Sequence, residues 1–173
     1  AYDLEGQQKE AMKMLTELVN RHPNYANIAE AHFRKADIHF NWQQYNQAKA
    51  SYLAVTQLAT GRLNRNAHYM LGWVYYKHQN YEASINSFAY VMNTILSNGQ
   101  SFDNLAKADK PIIEDSIHSI ALGLDKLGGA EAIPELPSIA NLSYVWRFYE
   151  HLGDYYLEKE LYEQSAETFR HFV

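Results

Sequence analysis

The chain has 173 residues, with 15 Lys and Arg against 20 Asp and Glu, a net charge of −5 and 47% hydrophobic residues. That length carries one sizeable domain, and the acidic balance argues against a nucleic-acid partner, which needs clustered Lys and Arg. With no cysteine, disulfides and thiolate metal sites are excluded. No apolar run of about 18 residues occurs, so direct membrane insertion of this segment is not expected.

The first predicted helix runs from Gly6 to His22, with Ala11, Met14, Leu15, Leu18 and Val19 on one stripe. Such a stripe cannot bury itself alone, and it predicts a helix preceding the segment. Pro23 ends it. Helices are predicted over about Ile28–Asn41 and Tyr45–Leu58, followed by a C-cap and loop at Thr60–Asn64, where Gly61 suits the left-handed conformation.

The next helix carries Leu71, Gly72 and Tyr75 on one face, turns at His78-Gln79-Asn80, and leads into Tyr81, Ser84, Ile85 and Phe88 on a second helical face. Gly72 within a helix costs about 1 kcal/mol relative to Ala, which predicts another backbone passing close to it. This pair ends near Ile95-Leu96, and Ser97–Ser101 breaks the pattern. Up to Lys110 the chain is polar apart from Phe102 and Leu105, an insertion with a short helix.

From Lys110, with Pro111 in the first turn, Ile113, Ile117, Ile120, Ala121 and Leu124 keep helical spacing until Leu127-Gly128-Gly129. A short second helix is expected over Ala130–Leu136 before Pro137, shortened or kinked by Pro134. The last pair runs from about Leu142 to Val173, its second helix starting at Tyr162. Phe169, Phe172 and Val173 remain apolar at its end, which predicts a further helix beyond them.

The pairs repeat. A step of 36 residues relates Gly72, Tyr81, Ser84, Phe88 and Val91 to Ala36, Tyr45, Ala48, Tyr52 and Val55. A step of 81 relates them to Gly153, Tyr162, Ser165, Phe169 and Phe172. This resembles the tetratricopeptide repeat, with its small residue in the first helix, Tyr near the turn, and small and aromatic residues in the second. The resemblance implies an all-α fold, a right-handed α-solenoid of antiparallel helix pairs forming one domain over residues 1–173. Within it, residues 1–24 would be the second helix of a truncated repeat, 25–60 and 61–97 full repeats, 98–141 an insertion plus degenerate repeat, and 142–173 a last, truncated repeat. In the degenerate repeat Ile120 or Ala121 stands in the place of Gly72. The Pro23–Ala26 segment also resembles periplasmic scaffolds of the bacterial envelope; a cytoplasmic home is the alternative.

Chemistry is sparse. His32, His68 and Tyr149 share one repeat position, which marks a packing site rather than a ligand. Asp115 and His118 are three apart, with no third ligand or nucleophile beside them. No HExxH, phosphate-binding loop or nucleophile elbow occurs. Glu158, Glu160, Glu163 and Glu167 read as a solvated turn and helix face. No catalytic residue, metal ligand or cofactor is assigned.

What remains is surface. The family resemblance implies that the first helix of each pair lines a concave groove receiving a protein or peptide partner. At those positions stand Phe33, Asp37 and Phe40, then Tyr69, Trp73, Tyr76 and Lys77, then Arg147 and Asp154. Relatives that clamp a terminal carboxylate use Lys and Asn where this chain has Phe33, Asp37, Tyr69 and Trp73, so no such clamp is expected. The reading is a protein-interaction scaffold, a fragment of a longer array, with self-association through its end helices. Its alternatives are a structural spacer whose binding site lies elsewhere, and a His/Glu-based metal or enzyme site.

Overall fold

The computed structural model describes residues 2–97 and 101–172, with side chains from Gly6 onward. Val173 lies outside the described residues. The described residues are helical, without strands, and form two compact units, Ala1–His78 and Gln79–Val173.

The first unit holds α1 (Tyr2–Arg21), α2 (Ile28–Asn41), α3 (Tyr45–Leu58) and α4 (Gly61–Lys77), with each helix packed on the next. The α2 and α3 bounds coincide with those predicted. Small residues let these helices approach: Ala36, Ala48 and Ala67 have no exposed surface, and Tyr52, Val55 and Val74 fill the space between them. Burying one such large side chain contributes about 1.5–3 kcal/mol.

The loop predicted over Thr60–Asn64 is corrected. Gly61 does take a left-handed φ of +64°, but it opens α4, so Arg62, Leu63 and Asn64 are helical. The reason lies in α3, whose last carbonyls need partners. The Asn64 side-chain amide donates to the Thr56 and Ala59 carbonyl oxygens at 2.9 and 3.0 Å. A residue in the first turn of α4 therefore closes the end of α3.

The second unit opens with α5 (Tyr81–Leu96), capped by the Asn80 carboxamide oxygen, which accepts from the Ala83 N–H at 3.2 Å. Of the break expected over Ser97–Ser101, residues 98–100 lie outside the described residues; a 3-10 turn follows at Phe102–Asn104, where a short helix was expected. Next comes α6 (Lys110–Lys126), packed on α5. The tight point between them is Gly123, where an added Cβ would lie 2.9 Å from the Ile85 side chain. Ile120 and Ala121, the residues expected at the small position, are both buried in α6.

The helix expected over Ala130–Leu136 is also corrected. The chain forms a 3-10 turn at Gly129–Ala132, then single turns, and α7 (Pro137–Ala140) starts at the proline that was expected to follow the helix. Two effects produce this. Gly128 and Gly129 both take left-handed φ, +103° and +77°, and reverse the chain at once. Pro134 lacks an N–H, and Pro137 is tolerated only in a first helical turn. Residues 101–141 thus hold one long helix, α6, and the single-turn α7. The last pair, α8 (Trp146–Glu158) and α9 (Tyr162–Phe172), packs its own helices together, and both touch the 3-10 turn.

Three turns share one backbone device. Gln43, Gln79 and Glu160 all take a φ of 58–59°, two residues before Tyr45, Tyr81 and Tyr162. At the first, the Gln44 N–H donates to the His39 carbonyl at 2.8 Å. At the third, the Leu161 N–H donates to the Tyr156 carbonyl at the same distance. The repeat is visible in the hydrogen bonds as well as in the residues.

Candidate functional site

The α2 candidates face their own partner helix. The Phe33 ring meets Tyr52 edge-on at 5.5 Å, and Phe40 meets Tyr45 edge-on at 5.5 Å. Both phenylalanines are half-buried against the core of the first unit. The Asp37 carboxylate accepts a hydrogen bond from the Tyr52 hydroxyl at 2.5 Å. Burial raises the Asp37 pKa, and the nearby Glu30 charge adds to that, while the Tyr52 hydrogen bond works against it. The Tyr52 hydroxyl is pushed far up, first by burial and then by the carboxylate it serves.

On α4, Tyr69, Trp73 and Tyr76 are half-buried, and Lys77 is exposed in the last turn. Trp73 and Tyr76 are three residues apart, so their rings adjoin on one helix face. They meet edge-on at 6.0 Å. An edge-to-face pair of this kind presents a wide, rigid apolar surface with few rotamers to lose.

On α8, Arg147 is half-buried and Asp154, two helical turns on, is exposed. The Arg147 guanidinium lies 4.5 Å from the ring centres of both Phe102 and Trp146, and 3.6 Å from Glu150. Its buried Nε has no hydrogen-bond partner among the described residues. Beside it lies a cavity of about 450 Å³ between the insertion, α6 and α8, lined by Phe102, Leu105, Lys110, Ile113, Ile117 and His151 among others. Burial lowers the His151 pKa against the pull of Glu150 and Asp154, and the charges of Arg147 and His118 reinforce the fall.

Phe102 and Lys110 were not singled out as site residues by the sequence reading. Phe102 was visible as one of two large apolar residues in a polar stretch. Its stacking on Arg147, and on Tyr144 at 5.3 Å, joins residues more than 40 positions apart and has no local signature. His32 and His68 are half-buried with pKa values lowered by burial, in keeping with packing positions.

The family models agree with this architecture. Residues 29–61 match one model of the tetratricopeptide repeat and residues 1–25 match another. Residues 1–25 and 29–61 are thus tetratricopeptide-repeat segments, and the fold is all-α, of the α-solenoid class. Proteins built from these repeats are in general scaffolds for protein–protein interaction, and the repeat segments put the chain in that broad class.

Among solved structures, the crystal structure of MamA is similar over 98% of this chain and 89% of its own, with a TM-score of 0.57 and 18% identity. The MamA RS-1 ArsTM double mutant aligns with 97% of this chain and 84% of its own, at a TM-score of 0.57 and 19% identity. MamA 41-end from Desulfovibrio magneticus RS-1 aligns with 97% of this chain and 85% of its own, at a TM-score of 0.57 and 20% identity. At such identities the likeness concerns the fold. No curated protein matches the sequence. Among the described residues, no helix is long and apolar enough to cross a membrane.

Proposed function

We propose that the first-helix faces of this scaffold receive a segment of a partner protein, in a groove, by shape-complementary burial and without chemical change. The observation that carries the reading is the Trp73–Tyr76 pair, two adjoining, half-buried aromatic rings on one face of α4. Each ring buried by a partner contributes about 1.5–3 kcal/mol, so two or three anchors supply much of the roughly 8 kcal/mol of a micromolar complex. Lys77, exposed at the end of α4, acts as a rim charge that sets register and on-rate. In the second unit α8 offers a face of its own, with the Arg147 guanidinium held between two rings and Asp154 exposed.

A second reading, a structural spacer, is favoured by Phe33, Asp37 and Phe40, whose side chains are engaged by α3. Selection of a random peptide library on the purified chain separates the two. Under the groove reading, enriched peptides bind the parent chain and lose binding to the Trp73→Ala/Tyr76→Ala variant, while the melting temperature is little changed. Under the spacer reading no family of peptides is enriched, and the double variant simply melts earlier.

A further inference from the structure

We propose that Glu131, Glu167 and His171 form a site for one divalent transition-metal ion, which clips α9 to the 3-10 turn of the degenerate repeat. Glu167 and His171 are four residues apart on α9 and so share one helix face. Glu131 comes from the Gly129–Ala132 turn, far away in sequence, which packs against α9. One donor atom from each of the three lies within 4.8 Å of the other two.

The turn that brings Glu131 there is built into the packed interior. Gly128 and Gly129 reverse the chain, and Ala130 and Ile133 are buried on either side of the exposed Glu131. At Gly129 an added Cβ would stand 3.1 Å from the Tyr156 hydroxyl, so the backbone is seated closely on α8. The space in front of the three donors is a cavity of about 200 Å³, whose lining includes Tyr156, Gln164 and Thr168. It has room for an ion and its remaining waters.

Charge and donor chemistry select the ligand. Two carboxylates converge here, and neither is in an ion pair with a described Lys or Arg. A cation between them turns a repulsion into an attraction. The imidazole favours zinc-like ions over calcium and magnesium, which prefer all-oxygen cages. Tetrahedral bonding at about 2.0–2.2 Å sets donors about 3.5 Å apart. The trio closes by rotamer changes, which three exposed side chains make freely. The position also has a structural reason: α9 rests on a 3-10 turn where a full repeat would supply a helix, and a metal bridge replaces part of that lost packing.

Zn²⁺ titration calorimetry on the full chain in chelator-free buffer, with hydrogen exchange of the α9 amides, tests this. One ion is expected per chain, with slower α9 exchange that EDTA reverses and that excess Mg²⁺ or Ca²⁺ does not reproduce. His171→Ala and Glu131→Gln should each weaken binding by roughly tenfold or more, and Glu163→Gln, on the same helix, should not. Circular dichroism confirms that each variant is folded. The proposal is overturned if the parent chain takes up no Zn²⁺, or if His171→Ala and Glu131→Gln bind it as the parent does, since the ion would then sit on other histidines.

Discussion

The hydroxyl of Tyr52 on α3 donates to the carboxylate of Asp37 on α2 at 2.5 Å, and Tyr52 has no exposed surface. An acidic residue at a groove-type position is thereby turned into a strut between two helices. Tyr52→Phe leaves the half-buried carboxylate without that donor and should lower stability by about 1–3 kcal/mol in urea melts. Because burial raises the folded pKa of Asp37, its contribution is fully present below the unfolded value of 3.8 and is lost as pH rises through the raised folded value. Asp37→Asn, which keeps an acceptor oxygen, should therefore flatten the stability–pH curve above 3.8.

His32, His68 and His151 titrate in the opposite sense. Burial lowers each folded pKa below the ordinary histidine value of 6.5, so the stability they contribute is present above 6.5 and is lost as pH falls through the lowered folded values. His68→Tyr copies the residue at the matching position, Tyr149. Thermal melts across this range should show a shallower pH dependence for the variant than for the parent. An unchanged slope would remove His68 from the account.

Gly153→Ala tests the packing of the last pair. The new methyl would sit 2.5–2.9 Å from three carbons of the Phe169 ring, forcing that ring outward. A loss of about 1–3 kcal/mol is expected, and Phe169→Leu in the same chain should recover part of it. Gly6→Ala is the contrast: nothing lies within 4 Å of its added Cβ, so it should be neutral or stabilising by up to about 1 kcal/mol.

The three left-handed turn residues offer stabilising changes. Gln43, Gln79 and Glu160 hold a φ near +59° with a full side chain, a conformation that costs a non-glycine residue about 1–2 kcal/mol. Gly loses more entropy on folding, which offsets part of that gain. Each change to Gly should raise stability by about 0.5–1 kcal/mol, approximately additively for turns so far apart. Chemical denaturation of the single and triple variants measures it.

Periodicity alone was enough for the helices that follow a strict repeat. Ala36, Tyr45, Ala48 and Tyr52 recur one step later as Gly72, Tyr81, Ser84 and Phe88, and residues at i, i+3 and i+4 must share a face whatever surrounds them. The α2, α3 and α5 bounds follow from that local rule, and the scaffold class follows from the repeat. The small position was legible too: Gly153, one of its repeat equivalents, lies against the Phe169 ring.

Tertiary structure decided the rest, because each of those outcomes depends on residues distant along the chain. Asn64 belongs to α4 and yet closes α3. Phe33 and Phe40, legible as groove aromatics, lie edge-on against Tyr52 and Tyr45. Phe102 reaches Arg147 from the insertion, and Glu131 meets Glu167 and His171 only because two left-handed glycines and two prolines replace a helix with a turn. Hydrophobic period is a property of neighbours within about four residues. Side-chain convergence is a property of the packed chain, and no local pattern encodes it.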